Sequence, residues 1–145
     1  MYVAKLDDKG RLKLPSDFQQ YFTDLKEDKF FITSLDRHIG RIYTVSVWRQ
    51  NEKFLAGSQG DAKKRRGAAF NAADLGGQSG IDGQGRLLVP AELRRELDLE
   101  GQQVRLFVYK SHVEMLNEKV YQAGKAEGEQ VSTDDVGELE TEGLV

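Results

Sequence analysis

Two copies of one nine-residue phrase, set 75 residues apart, constrain this chain more than any other feature. Asp7-Asp8-Lys9-Gly10-Arg11-Leu12-Lys13-Leu14-Pro15 returns as Asp82-Gly83-Gln84-Gly85-Arg86-Leu87-Leu88-Val89-Pro90, with Asp, Gly, Arg, Leu and Pro in matching places. Both prolines of the chain belong to this phrase, and an apolar residue, Leu6 or Ile81, precedes each copy. An internal repeat decides architecture before any local signal does. Two copies are too few for a solenoid, so the pattern points to a duplication whose halves pair around a pseudo-two-fold axis.

Each phrase has the periodicity of a β-hairpin. Ala4 and Leu6 alternate with Lys5, and Leu12 and Leu14 alternate with Arg11 and Lys13. Between the strands, Asp7 can accept hydrogen bonds from turn amides and Gly10 can supply a positive φ. In the second copy Leu87 and Val89 point inward, with Arg86 and Leu88 on the other face. Proline then stops the ladder and starts a short helix. Ser16 is its candidate N-cap, Phe18 and Phe22 lie four apart on one face, and Leu93 and Leu97 repeat that spacing, with Arg94 and Arg95 facing outward. Two more apolar stretches follow in each copy, 30–35 with 41–45 and 104–109 with 113–116, giving β-β-α-β-β twice. Val47, Trp48, Asn51, Phe54 and Leu55 form the stripe of a further helix stopped at Gly57, and a second helix is expected from about 61 to 71.

These signals divide the chain into a first repeat (1–46), a helical inter-repeat segment (47–75), a second repeat (76–117), a closing helix (118–125) and a disordered acidic tail (126–145). Both repeats are expected to interleave in one globular domain. The tail hides the charge of the rest. Of 24 acidic residues, seven lie from Glu127 to Glu142 with no base among them, leaving 17 acids against 21 bases in 1–125, a net of +4 beneath the formal −3.

Absence of cysteine excludes disulfides and thiolate metal sites and suits a reducing compartment. No apolar run approaches a membrane span and no charged-then-apolar leader opens the chain, so the expectation is a soluble cytoplasmic protein without a membrane partner. His38 and His112 fall at matching places near the second hairpin turns, without the converging ligands of a zinc site. Gly76-Gly77-Gln78-Ser79-Gly80 lacks the Lys-Ser/Thr of a P-loop. The reading is therefore a non-enzyme with no cofactor, no metal and no small-molecule substrate.

The hairpin arginines are the candidate functional groups. Arg11 and Arg86 each follow an aspartate by four residues, so each is open to a structural reading as its partner in an ion pair. A guanidinium on a hairpin tip also has the fork geometry for guanine O6 and N7, and a carboxylate that holds the fork preorganises it. Lys5, Lys9, Lys13, Gln84, Arg94 and Arg95 surround these tips as candidate DNA contacts, with the lysines and helix arginines suited to phosphates. Asp7 and Asp82 join the site as the holders of the forks. Lys63-Lys64-Arg65-Arg66 reads as a solvated helix face or subunit contact.

The twin Asp-x-x-Gly-Arg-Leu-x-x-Pro phrases, each followed by an amphipathic helix, resemble those of the MraZ family, the tandem members of the AbrB-like swapped-hairpin proteins. The resemblance runs from about Tyr2 to Ala123 and includes Tyr43 and Trp48. It implies an α+β, mainly β fold: a double-repeat swapped-hairpin β-barrel with flanking helices. It further implies a ring-shaped homo-oligomer and a nucleoid-associated regulator of the bacterial division and cell-wall gene cluster. Double-stranded DNA carrying promoter direct repeats would be read by the segments Asp7 to Arg11 and Asp82 to Arg86, with repression the expected outcome. A short first strand, a shortened Gly- and Ala-rich inter-repeat segment and the acidic tail depart from the family pattern. The alternative is an antitoxin-like swapped-hairpin protein whose tail binds a protein partner.

Overall fold

A computed structural model describes residues 1–145. In the first copy it holds β1 (Tyr2–Lys5), β2 (Arg11–Lys13), α1 (Ser16–Asp24), β3 (Lys29–Thr33) and β4 (Gly40–Thr44). Two helices follow, α2 (Val45–Ala56) and α3 (Ala62–Leu75). The second copy supplies β5 (Gly77–Gly80), β6 (Arg86–Leu88), α4 (Ala91–Glu96), β7 (Gln103–Tyr109) and β8 (His112–Leu116). The chain ends in α5 (Glu118–Glu129) and α6 (Thr133–Glu142).

The larger sheet has the order β1-β7-β8-β4-β3-β5, every pairing antiparallel. Exchanging the copies (β1 for β5, β3 for β7, β4 for β8) reproduces this order read backwards, which places the pseudo-two-fold between β4 and β8. The first strand of each copy pairs with the other copy's second hairpin: β1 with β7 and β5 with β3. The α+β, swapped-hairpin class follows from those pairings. The hydrogen-bonded ladder does not close on itself. Instead the ribbon β2–β6 spans the gap between edge strands β1 and β5, joined by the Leu6–Leu12 bridge and by the Leu88 N–H to Ser79 Oγ at 3.0 Å.

One cluster of 18 buried residues fills the interior and draws on both copies: Leu12, Leu14, Phe18 and Phe22 from one, Leu87, Val89, Leu93 and Leu97 from the other. Leu12 and Leu87 are wholly buried, so truncating either to alanine is expected to cost about 2–5 kcal/mol. A smaller cluster seats the inter-repeat helices. Trp48 stacks on Phe31 with centroids 4.5 Å apart and touches Tyr43, and Thr33 Oγ1 donates to the Ala72 carbonyl at 3.0 Å.

Several local expectations change. Pro15, not Ser16, is the N-cap of α1, and no side chain caps that end; a proline with extended ψ sets the entry angle instead. Helix α3 runs to Leu75, because Leu75 is buried and the stop is Gly76. The closing helix continues past 125 to Glu129, and the expected disordered tail carries α6. Ser132 and Asp135 form a reciprocal capping box at its start (2.9 and 3.0 Å), and Asp134 and Asp135 complement the positive end of the helix dipole. Every residue of 126–145 is exposed. No helix is long and apolar enough to cross a membrane.

Candidate nucleic-acid interface

Each hairpin turn is organised by its own aspartate. Asp7 Oδ1 accepts the backbone N–H groups of Lys9 (3.0 Å) and Arg11 (2.8 Å), while Oδ2 accepts Arg11 Nε at 2.7 Å. Asp82 does the same for Gln84 N–H (2.9 Å), Arg86 N–H (3.0 Å) and Arg86 Nε (2.8 Å). Gly10 and Gly85 sit at φ +79° and +75°, the left-handed conformation that closes each turn and that glycine adopts without strain. Backbone N–H groups and the guanidinium hold both carboxyls below the usual aspartate range, and the arginine's own backbone N–H is the largest cause in each.

The clamp uses only Nε of each arginine. Neither guanidinium spends an Nη donor on an intramolecular hydrogen bond; Arg86 Nη1 makes one longer ion contact, 3.8 Å from Asp7 Oδ2. The side chains are 31% (Arg11) and 23% (Arg86) exposed, neither interred nor free in solvent. Structural clamp and presented fork are therefore the same side chain.

Ribbon register brings the two tips together. Leu12 faces Leu87, Arg11 faces Leu88 and Lys13 faces Arg86. With Leu12 and Leu87 inside, Arg11, Lys13, Arg86 and Leu88 share the opposite face of one two-stranded ribbon. Lys13 Nζ donates to the Gln84 carbonyl, tying the first strand to the second turn. Over 7–13 and 82–88 there are four bases (Lys9, Arg11, Lys13, Arg86) against three acids (Asp7, Asp8, Asp82), a net of only +1. With so little bulk charge, what the tips present is the pair of guanidinium groups whose Nη donors make no intramolecular hydrogen bond.

The remaining candidates scatter. Lys5 and Lys9 are exposed, on β1 and the first turn. Arg95 is exposed and paired with Glu92 at 3.1 Å. Arg94 does not face outward: its Nη1 donates to the Val89 carbonyl at 2.6 Å and its guanidinium packs on Gly10, where the missing side chain leaves room. The histidines are not equivalent either. His38 lies in an exposed turn, whereas His112 opens β8, buried beside Tyr43 and bonded to Glu114 Oε2 at 3.1 Å. Burial holds its imidazole below the ordinary histidine pKa, opposed by Glu114 and aided by Arg41 and Lys110. In the Lys63–Arg66 run, Arg65 anchors the α2–α3 loop through the carbonyls of Gln59 and Gly60 (2.5 and 2.8 Å). Gln19 is a site residue that sequence reasoning misses. The only signal for it is the repeat itself: shifting by 75 places it under Arg94, and its Nε2 donates to the Leu14 carbonyl at 2.7 Å.

Fold and site together define a duplicated swapped-hairpin protein presenting paired Asp–Arg turns on one ribbon. Comparison with known proteins agrees. Residues 77–132 match the family model described as "MraZ protein, putative antitoxin-like". The transcriptional regulator MraZ of Acidobacterium capsulatum is 34% identical over 122 residues, which are 83% of this chain and 82% of that protein. Proteins of the same name from Koribacter versatilis (32% over 103 residues, 70% and 69% of the two chains) and Pediococcus pentosaceus (33% over 139 residues, 94% and 92%) are also similar. The chain belongs to the MraZ family.

Proposed function

We propose that this protein is a sequence-specific DNA-binding transcriptional regulator, without catalytic activity, in which Arg11 and Arg86 read base edges. The observation that carries the reading is the pair of guanidinium forks on one ribbon face, each held at Nε by an aspartate and with Nη donors that make no intramolecular hydrogen bond. Such a fork suits guanine in the major groove, and a two-stranded ribbon fits that groove. Lys5, Lys9, Lys13 and Arg95 serve as phosphate contacts, Gln84 as a polar contact on the second tip, and Asp7 and Asp82 as the orienting carboxylates. The relatives' name, transcriptional regulator, supports the class.

In this reading the two repeats, 1–46 and 76–117, act as one unit in the cytoplasm, at the nucleoid. A ring-shaped homo-oligomer presents several such ribbons to direct repeats in a promoter of the division and cell-wall cluster, and repression results. Many weak footprints in phase supply the affinity that a tip region of net +1 does not. Titrating a duplex of the protein's own upstream region by fluorescence anisotropy over a salt series tests it. Specific binding that Arg11→Ala and Arg86→Ala each weaken supports the proposal. Wild-type affinity in both variants overturns it.

One observation favours a second reading. Helix α6 bears Val136 and Leu139, both exposed and three residues apart, among acidic side chains, as an antitoxin-like tail would. Deleting 126–145 separates the two: it leaves promoter recognition in place if DNA is the target, and abolishes partner binding if a protein is.

A further inference from the structure

Shifting by 75 carries Arg94 onto Gln19, Val89 onto Leu14 and Gly85 onto Gly10, and the contacts of these residues repeat under that shift. Arg94 Nη1 donates to the Val89 carbonyl (2.6 Å), and Gln19 Nε2 donates to the Leu14 carbonyl (2.7 Å). The amides of those two residues turn the other way: Val89 N–H donates to the Gly10 carbonyl and Leu14 N–H to the Gly85 carbonyl, both at 3.0 Å. Each long side chain then lies against the glycine of the opposite copy. A Cβ on Gly10 would collide with the Arg94 guanidinium, and one on Gly85 would collide with the Gln19 amide.

The first turn is thus held by the second copy's helix, and the second turn by the first copy's helix. From this geometry we infer that Arg94 and Gln19 are positioning residues for DNA reading, crossed braces that make the two arginine tips move as one body. The inference rests on the DNA-binding proposal for its purpose, though not for its structural content. It also changes the role expected of Arg94. Its side chain is 16% exposed and its Nε is shielded from solvent without a hydrogen-bond partner, the Glu100 carboxylate standing 3.7 Å away. With Nη1 on the Val89 carbonyl and Nε shielded, the guanidinium has mainly Nη2 left to offer a phosphate. The braces differ in charge, cationic under the first tip and neutral under the second, so the tips are sterically alike and electrostatically distinct.

Amide hydrogen exchange on the free, full-length protein tests the crossing directly. Arg94→Ala is expected to speed exchange at Lys9, Gly10 and Arg11 by about fivefold and to leave Gln84, Gly85 and Arg86 unchanged. The reason is that Gly10 loses the guanidinium packed on it and Val89, whose N–H bonds the Gly10 carbonyl, loses its tether. Gln19→Ala should do the reverse. Arg94→Gln, which installs the brace the other copy already uses, should restore most of the protection. Loosening of the turn in the variant's own copy, or of both turns equally, overturns the inference.

On the upstream-region duplex, Arg94→Ala is expected to lose about fivefold in specific affinity with the salt slope intact. A slope reduced by about one would mark a phosphate contact and also overturn it. Absence of any DNA binding by the wild-type protein would sink the functional proposal and with it the braces' purpose, while the exchange pattern would still decide whether the braces exist.

Discussion

Arg86 Nη1 lies 3.8 Å from Asp7 Oδ2, so the carboxylate that clamps the first repeat's arginine also touches the second repeat's arginine. No ion pair returns from Arg11 to Asp82. The duplication is therefore broken at its centre: Asp7 serves two guanidinium groups and Asp82 serves one. Asparagine keeps the size of aspartate and one carbonyl acceptor, but presents an amide where the guanidinium expects an anion. Asp7→Asn should disturb both tips and Asp82→Asn only its own. The expected loss of specific DNA affinity is larger for Asp7→Asn by about two- to fivefold, the worth of a partly exposed ion pair. Equal losses, measured by anisotropy on one duplex, would contradict the shared role.

Lysine at Arg11 or Arg86 separates reading from mere charge. It keeps the cation but loses the planar fork, which fits both the carboxylate clamp and a guanine edge. Arg11→Lys and Arg86→Lys are expected to hold the salt slope while losing about 1–3 kcal/mol of discrimination at one base position each. A full set of single-base operator variants measures this. Unchanged discrimination would reduce both arginines to phosphate anchors.

Much of this site is legible in the sequence because its chemistry is local. An Asp four residues before an Arg, with Gly between, encodes the turn, the clamp and the positive φ within five positions, and the period-two alternation assigns Leu12 and Leu87 to the interior. What stays hidden depends on the other copy. Arg94 sits in a helix whose pattern makes arginine a solvent residue, and only Gly10, 84 positions away, provides the space that draws it inward. Gln19 carries no charge to attract notice, and its role emerges only when the copies are overlaid. His112 reads as a turn residue because its counterpart is one. The second copy's turn is tighter, however, so β8 begins at His112 and buries it against Tyr43. The tail's composition suggests disorder, whereas its helix rests on one capping box, a feature of four residues.

Gly85 carries two separable constraints. Its φ of +75° disfavours any side chain, and a Cβ there would run into the Gln19 amide. Gly85→Ala should destabilise by about 1–2 kcal/mol from the backbone alone, with an added cost because Gln19 must leave the Leu14 carbonyl. Adding Gln19→Ala removes the collision but not the backbone strain. In chemical denaturation the double variant should therefore be less destabilised than the sum of the singles. Strict additivity would mean that Gln19 swings away freely.

His112 predicts a slope in stability against pH. Its native pKa is depressed, chiefly by burial, below the ordinary value of 6.5. As pH falls through 6.5 the unfolded chain takes up this proton first, and the native protein follows only at lower pH. Stability is thus unaffected by this group above 6.5 and declines between 6.5 and the native value. Asp7 and Asp82, also depressed, add a separate loss only below the ordinary aspartate value of 3.8. Denaturation midpoints at about pH 7.5 and 5.5 should converge in His112→Gln relative to wild type. An undiminished slope would assign the effect to another group.

The acidic tail offers the last test, because its removal alters charge without touching the core. All of 126–145 is exposed, and deleting it changes the formal net charge from −3 to +4 by removing seven acids and no base. The change lies outside the tips, so base discrimination should persist. Non-specific binding should strengthen at low salt and return towards wild type as screening shortens the reach of the tail's charge below about 10 Å near 0.1 M. Anisotropy on a random duplex at about 25 and 200 mM salt makes the comparison. An affinity gain that persisted undiminished at the higher salt would mean that the tail contacts the ribbon directly instead of acting through its field.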